Sequence, residues 1–251
     1  MKATKLYILI FLFLGCAGTK NDRDISVKQA FEQGLNNLDN EKYLKAQADF
    51  KSVLVKGGGT DIADDAQYYL GVAYFRNKEY LLAIAEFEKL SRRMGYSPFV
   101  EDARFKICES YRIESPEYFH DQEYTQKAIE RYQEFLDDYP NSKFNKEATQ
   151  SIKTLRKKLA EKLYNTGLLY IKLEEYNSAK IFFQSIIDEY YDTDIVIFAH
   201  QGMVKSLARN REIEDAIAYL DKYEKELDER KLFIDANKTI DMMKKVISKG
   251  K

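Results

Sequence analysis

The sequence predicts an all-α chain: a solenoid of about five helix pairs, closed by a C-terminal capping helix. Three observations carry that expectation. Asp64–Leu90 reads as two amphipathic helices joined by a turn at Arg76–Lys78, with Leu70, Gly71 and Tyr74 sharing one face of the first and Ala83, Phe87 and Leu90 one face of the second. The same pattern then recurs: Gly34, Gly71 and Cys108 are 37 apart in succession, as are Gly167 and Val204, Ala46 and Ala83, and Ala179 and Ala216. Ala128 comes eight residues late and Ala179 fourteen, so the chain holds five copies of one unit with two insertions. Finally, 45% hydrophobic and 32% charged residues with only three prolines suit long helices with ample apolar surface to bury.

Each copy keeps the same neighbours. Four residues beyond the small residue of the second helix stand Phe50, Phe87, Tyr132, Phe183 and Leu220; three before it stand Tyr43, Tyr80, Thr125, Tyr176 and Ile213. Over about Lys28–Tyr223 the pattern resembles the tetratricopeptide repeat, and unit three adds that family's proline in the series Ala128, Tyr132, Phe135, Pro140. The family's signature tryptophan is absent, since the chain contains no Trp. The resemblance implies a right-handed superhelical solenoid. It specifies a fold and leaves the partner open.

In chain order, residues 1–15 read as a signal peptide: Lys2 and Lys5 precede nine uninterrupted apolar residues, Leu6–Leu14, too few to span a bilayer. Cys16 follows Gly15, and the chain turns polar at once. This resembles a bacterial lipoprotein signal, which implies lipidation of Cys16 and, with Ala17 behind it, sorting to the periplasmic face of the outer membrane. Phe13 stands where that family prefers leucine, and an ordinary signal peptide cut nearby is the other reading. Residues 16–26 are expected as a lipidated tether. Removal of residues 1–15 takes two lysines and no acid from a chain of net charge −1, so nothing suggests a nucleic-acid partner. With Cys16 modified, Cys108 has no partner for a disulfide within the chain.

Units one to three occupy residues 27–140. The glycine-rich run Gly57–Thr60 is not followed by the Lys-Ser/Thr of a phosphate loop and reads as a helix-ending turn. Cys108 takes the place of a glycine and is expected to be a small buried packing residue. The first insertion, around Glu114–Tyr124, is a loop and so a candidate contact site; His120 beside Asp121 there has no nucleophile to work with. Residues 141–251 are expected to hold a linking helix from about Lys146 to Leu173, units four and five, and a cap over Lys231–Ser248. The linking helix clusters Lys153, Arg156, Lys157, Lys158 and Lys162. Such a run is either a solvated face or a docking face for an acidic partner, to which Lys153, Arg156, Lys157 and Lys162 are assigned. His200 is read as packing or groove-lining.

No metal-ligand spacing, nucleotide fingerprint or nucleophile motif exists, so neither an enzyme nor a cofactor is expected. In the repeat family the first helix of each unit faces inward. Counting from the small residue, this nominates Phe31 and Leu35 in unit one, Tyr68, Val72 and Phe75 in unit two, and Phe105 and Arg112 in unit three as a peptide groove.

The lipoprotein signal, five repeats, an insertion in unit three and a long helix before unit four together resemble the BamD family of outer-membrane β-barrel assembly lipoproteins. Tyr124–Ser142 is similar to that family's middle repeat and Thr154–Ala179 to its linking helix and fourth repeat. The resemblance implies a non-enzymatic protein that binds unfolded barrel-protein segments with its N-terminal repeats and docks the periplasmic domains of the barrel-forming core subunit with its C-terminal ones. Another envelope scaffold lipoprotein, Tol-linked or coordinating peptidoglycan, and an enzyme subunit are the alternatives.

Overall fold

The computed structural model describes residues 20–249, which form twelve α-helices and no strand. The expected signal peptide, Cys16 and residues 16–19 of the tether lie outside the described residues. The helices pair in sequence. Unit one is α1 (Lys20–Asp39) and α2 (Tyr43–Lys56), unit two α3 (Ala63–Arg76) and α4 (Tyr80–Arg93), and unit three α5 (Val100–Glu114) and α6 (Glu123–Asp138). Unit four is α7 (Asn145–Lys172) and α8 (Tyr176–Glu189), and unit five α9 (Val196–Arg209) and α10 (Ile213–Lys222). A short α11 (Glu224–Glu229), absent from the sequence expectation, leads into the cap α12 (Phe233–Lys249), which buries Ala236 and Ile240. From α1 to α10 each helix packs mainly on its neighbours in sequence, which is the one-dimensional stacking of a repeat solenoid, and α12 closes the end by packing on α9 and α10.

One boundary departs from expectation. Lys20–Ser26 was assigned to the tether, yet α1 begins at Lys20. The stretch contains no glycine or proline to stop a helix running back from the buried Val27. The linking helix is as expected: α7 has 28 residues and is about 42 Å long.

The small residues of the repeat earn their place through a ring. The Phe87 ring lies over Gly71, where an added Cβ would sit 2.5 Å from it. Phe50 covers Gly34 and Phe183 covers Gly167 in the same way. All three rings are fully buried, and so are Ala46, Ala83 and Ala179, one helical turn before them.

The turns within units one, two, four and five, and the turn before the cap, share a second device. Glu41, Lys78, Glu174, Arg211 and Lys231 all have φ between 58° and 66°, the left-handed region. Each closes a helix end with paired backbone bonds: Lys78 N–H to Phe75 O at 3.0 Å and Glu79 N–H to Tyr74 O at 3.0 Å, for instance. Unit three has its insertion at this point. None of the five is glycine, although a left-handed L-residue costs about 1–2 kcal/mol. Lys78→Gly is therefore expected to stabilise the chain by about 0.5–1 kcal/mol, the relief less the added chain entropy of glycine. A thermal melt checks it, and a lowered Tm would show that the exposed Lys78 side chain makes a contact worth more than its strain.

Candidate binding surface

The proposed groove divides when built. Phe31 and Leu35 on α1 and Tyr68, Val72 and Phe75 on α3 are half-buried and pack against the core of units one and two. Phe105 is not part of any surface: it is 2% exposed, and Phe144, just before α7, stacks on it at 4.2 Å with planes 8° apart. That assignment is corrected. The equivalent lid over Tyr68 is Phe99, stacked at 4.5 Å, but it leaves Tyr68 partly open. Arg112 is half-buried with its Nη2 only 3.9 Å from Glu109 Oε1.

The lids were missed in the sequence, although a signal for them exists. Every turn between units carries Ser or Thr two residues before an apolar residue: Thr60 and Ile62, Ser97 and Phe99, Ser142 and Phe144, Thr193 and Ile195. Ser97 Oγ accepts from Phe99 N–H at 3.3 Å and Ser142 Oγ from Phe144 N–H at 3.1 Å, which seats the ring at the start of the next helix. Thr60 and Thr193 donate instead to Gly57 O and Tyr190 O.

The basic cluster of α7 is also only partly free. Arg156 grips Asp192 of the α8–α9 turn, with Nη2 2.7 Å from Oδ1, and Lys157 lies 2.9 Å from Asp194 Oδ2. The Arg156 guanidinium holds the Asp192 carboxyl below its usual range. On the other side Lys158 donates to Ser115 Oγ at 2.8 Å and Lys162 to His120 O at 2.8 Å. Of the four cations assigned to docking, Lys153 is exposed, while Arg156, Lys157 and Lys162 fasten α7 to its neighbouring turns. Sequence spacing could not reveal partners 36–37 or 42 residues away.

The insertion loop is built from polar bonds. Gln122 Nε2 reaches Glu117 O at 2.8 Å, Thr125 donates to Gln122 Oε1 at 2.7 Å, and Asp121 Oδ1 accepts from Glu123 N–H at 2.9 Å, starting α6. Asp121 thus acts as a helix-starting acceptor and the His120 ring lies against Phe119, which is 64% exposed. A cavity of about 540 Å³ opens between this loop, α7 and α8, with Lys162, Glu189 and Tyr190 on its wall.

Cys108 is buried as expected. Its thiol lies 3.2 Å from Arg104 O, and burial pushes its pKa up to about 12, which makes it a poor nucleophile. His200 proves to be packing: Nδ1 is 2.8 Å from Tyr219 Oη, and the ring stacks on Tyr223 at 3.9 Å. Burial lowers its proton affinity, helped by Lys222 and opposed by Glu226. The unfolded chain therefore takes up a proton near pH 6.5 that the folded chain refuses, so stability is full above about pH 6.5 and falls as pH drops through it. Asp192, Glu212 and Asp235 have lowered pKa values from their lysine or arginine partners and lose their contribution only below about pH 5. Comparing melts at about pH 7.5 and about pH 5.5, the wild type is expected to lose more Tm than His200→Gln. Equal losses would discount His200.

Repeated helix pairs stacked in sequence, with a row of half-buried apolar side chains on the first helices, define a helical-repeat protein. Residues 23–223 match the family described as "YfiO: Outer membrane lipoprotein", and the chain belongs to that family. The outer membrane protein assembly factor BamD of Rickettsia prowazekii (strain Madrid E) is 25% identical over 212 residues, covering 82% of this chain and 84% of the relative. Among solved structures, the TPR2AB domain of yeast Sti1 in its pHSP90 complex is 15% identical with a TM-score of 0.47, covering 90% of this chain and 86% of that one. The P58(IPK) TPR domain is 10% identical with a TM-score of 0.44, covering 93% and 71%. No described helix is long and apolar enough to cross a membrane.

Proposed function

We propose that this chain is a non-enzymatic assembly factor for outer-membrane proteins. It is held at the periplasmic face of the outer membrane by acylated Cys16. Its first two units grip extended apolar segments of unfolded barrel proteins, and its C-terminal half docks the periplasmic domains of the barrel-forming core subunit. The observation that carries the reading is the half-open apolar row of Phe31, Leu35, Tyr68, Val72 and Phe75 on two successive first helices. An extended chain with alternating apolar side chains fits such a row, because successive units offer it successive apolar contacts. Membership of an outer membrane lipoprotein family and the likeness to an assembly factor support it.

Docking is proposed on α7 and the α8–α9 turn as a surface of mixed charge, with Lys153 its open cation and Arg156–Asp192 and Lys157–Asp194 its preset pairs. Paired charges desolvate less expensively than bare ones, so this surface favours a partner that is itself polar and mixed. Affinity purification of the tagged full chain from detergent-solubilised membranes tests the function. It is expected to recover a β-barrel protein with periplasmic domains. Recovery of peptidoglycan-binding or Tol proteins instead would replace the reading with an envelope-scaffold role.

A further inference from the structure

We propose that the edge of the solenoid formed by the α2–α3 and α4–α5 turns lies on the membrane surface, with Val55 and Tyr96 seated among anionic phospholipid headgroups. This rests on the reading of Cys16 as the acylated residue. The distances along the chain orient the molecule. Val27 of α1 lies against the α2–α3 turn, where an added Cβ on Gly57 would stand 2.6 Å from its Cγ1. From Val27 the helix runs back to Lys20, about 10 Å beyond that turn. Cys16 is four residues further, at most about 14 Å even if fully extended. An acyl chain on Cys16 therefore enters the bilayer within about 25 Å of the α2–α3 turn. The opposite edge, at the far end of α1, is about 18 Å further away.

The side chains on the near edge fit that position. Val55 at 85% and Tyr96 at 81% are the two most exposed large apolar side chains among the described residues, and they stand at the two successive turns that face the anchor. Lys56, Arg92 and Arg93 are exposed beside them, against Asp61 as the exposed acid and Glu88, 3.6 Å from Arg92. Gly58 and Gly59 are exposed between them and carry no side chain to hold the backbone off a surface. A tyrosine among basic residues suits the headgroup layer, where the ring is partly desolvated, its hydroxyl stays wet, and nearby cations meet lipid phosphates. Once tethered, the edge needs only a weak lipid affinity, because the anchor raises its effective concentration at the surface.

The absence of Trp makes the test direct. Tyr96→Trp, and Leu44→Trp on the opposite edge as the control, are made in the acylated full chain and reconstituted into vesicles of zwitterionic and anionic phospholipid. Acyl chains brominated near the headgroup serve as quencher. The Tyr96→Trp protein is expected to show blue-shifted emission and about twofold quenching, and the Leu44→Trp protein neither. Adding Arg92→Glu and Arg93→Glu should abolish the quenching while the protein still floats with the vesicles. Equal emission from the two reporters, or quenching unaffected by the charge reversals, overturns the proposal and leaves the anchor standing. If the protein fails to float and Cys16 carries no acyl mass, the anchor reading fails and this inference falls with it.

Discussion

Truncating Phe183 to alanine lowers the unfolding free energy by about 3–5 kcal/mol, the range for a buried ring. Phe183 is fully buried on α8, and its ring faces a glycine on each side. An added Cβ on Gly167 of α7 would stand 2.7 Å from the ring, and one on Gly202 of α9 2.5 Å. The ring is thus the joint between units four and five. Its removal leaves a void walled by two helices that have no side chain there to fall into it, so relaxation recovers little. Gly202→Ala attacks the same joint from the other direction and is expected to cost about 1–3 kcal/mol, because the ring has no room to retreat. Urea unfolding followed by far-UV circular dichroism measures both. In a solenoid the loss spreads locally, so hydrogen exchange should accelerate first in α9–α12. A loss for Phe183→Ala below about 1 kcal/mol, the level of an average substitution, would mean that the joint lies elsewhere.

The second large effect is on binding. Leu35→Gln combined with Val72→Gln should weaken the capture of C-terminal barrel-protein peptides about thirtyfold while shifting Tm little. Both residues are half-buried, one on each of two successive first helices, beside Gly34 and Gly71. If a bound chain covers about 40 Å² on each, the loss is about 1 kcal/mol per site. Two sites then cost about 2 kcal/mol, which is about thirtyfold in Kd. The aromatic residues of the row are worse probes. Phe31 packs on Phe50 and Tyr69, and Tyr68 on Phe87 and Phe99, so removing either unsettles the stack as well as the surface. Fluorescence anisotropy with a labelled peptide reads the change. An unaltered Kd would remove the first-helix face as the gripping surface.

The repeat was legible because packing imposes it on units one, two and four. A ring must lie over a small residue for two helices to approach, so Phe50, Phe87 and Phe183 recur at fixed distances from Gly34, Gly71 and Gly167. The insertion loop and the length of α7 followed from the breaks in that period. Exposure was less legible. Counting placed Tyr68 and Phe105 at one position of the repeat, yet a stacked lid leaves one partly open and seals the other. The difference lies in the packing of the neighbouring unit, which no local pattern records.

From its sequence alone this protein is a stack of helical hairpins with a reserve of apolar side chains on its first helices, because burial and close approach act at separations of three, four and 37 residues. Which of those side chains remain open, and which cations of α7 are already taken by Asp192, Asp194 and the insertion loop, was decided only when the units stacked. The physical reason is that solvation and ion pairing depend on what lies within a few ångströms in space. In a solenoid, that neighbour comes from the next turn of the stack.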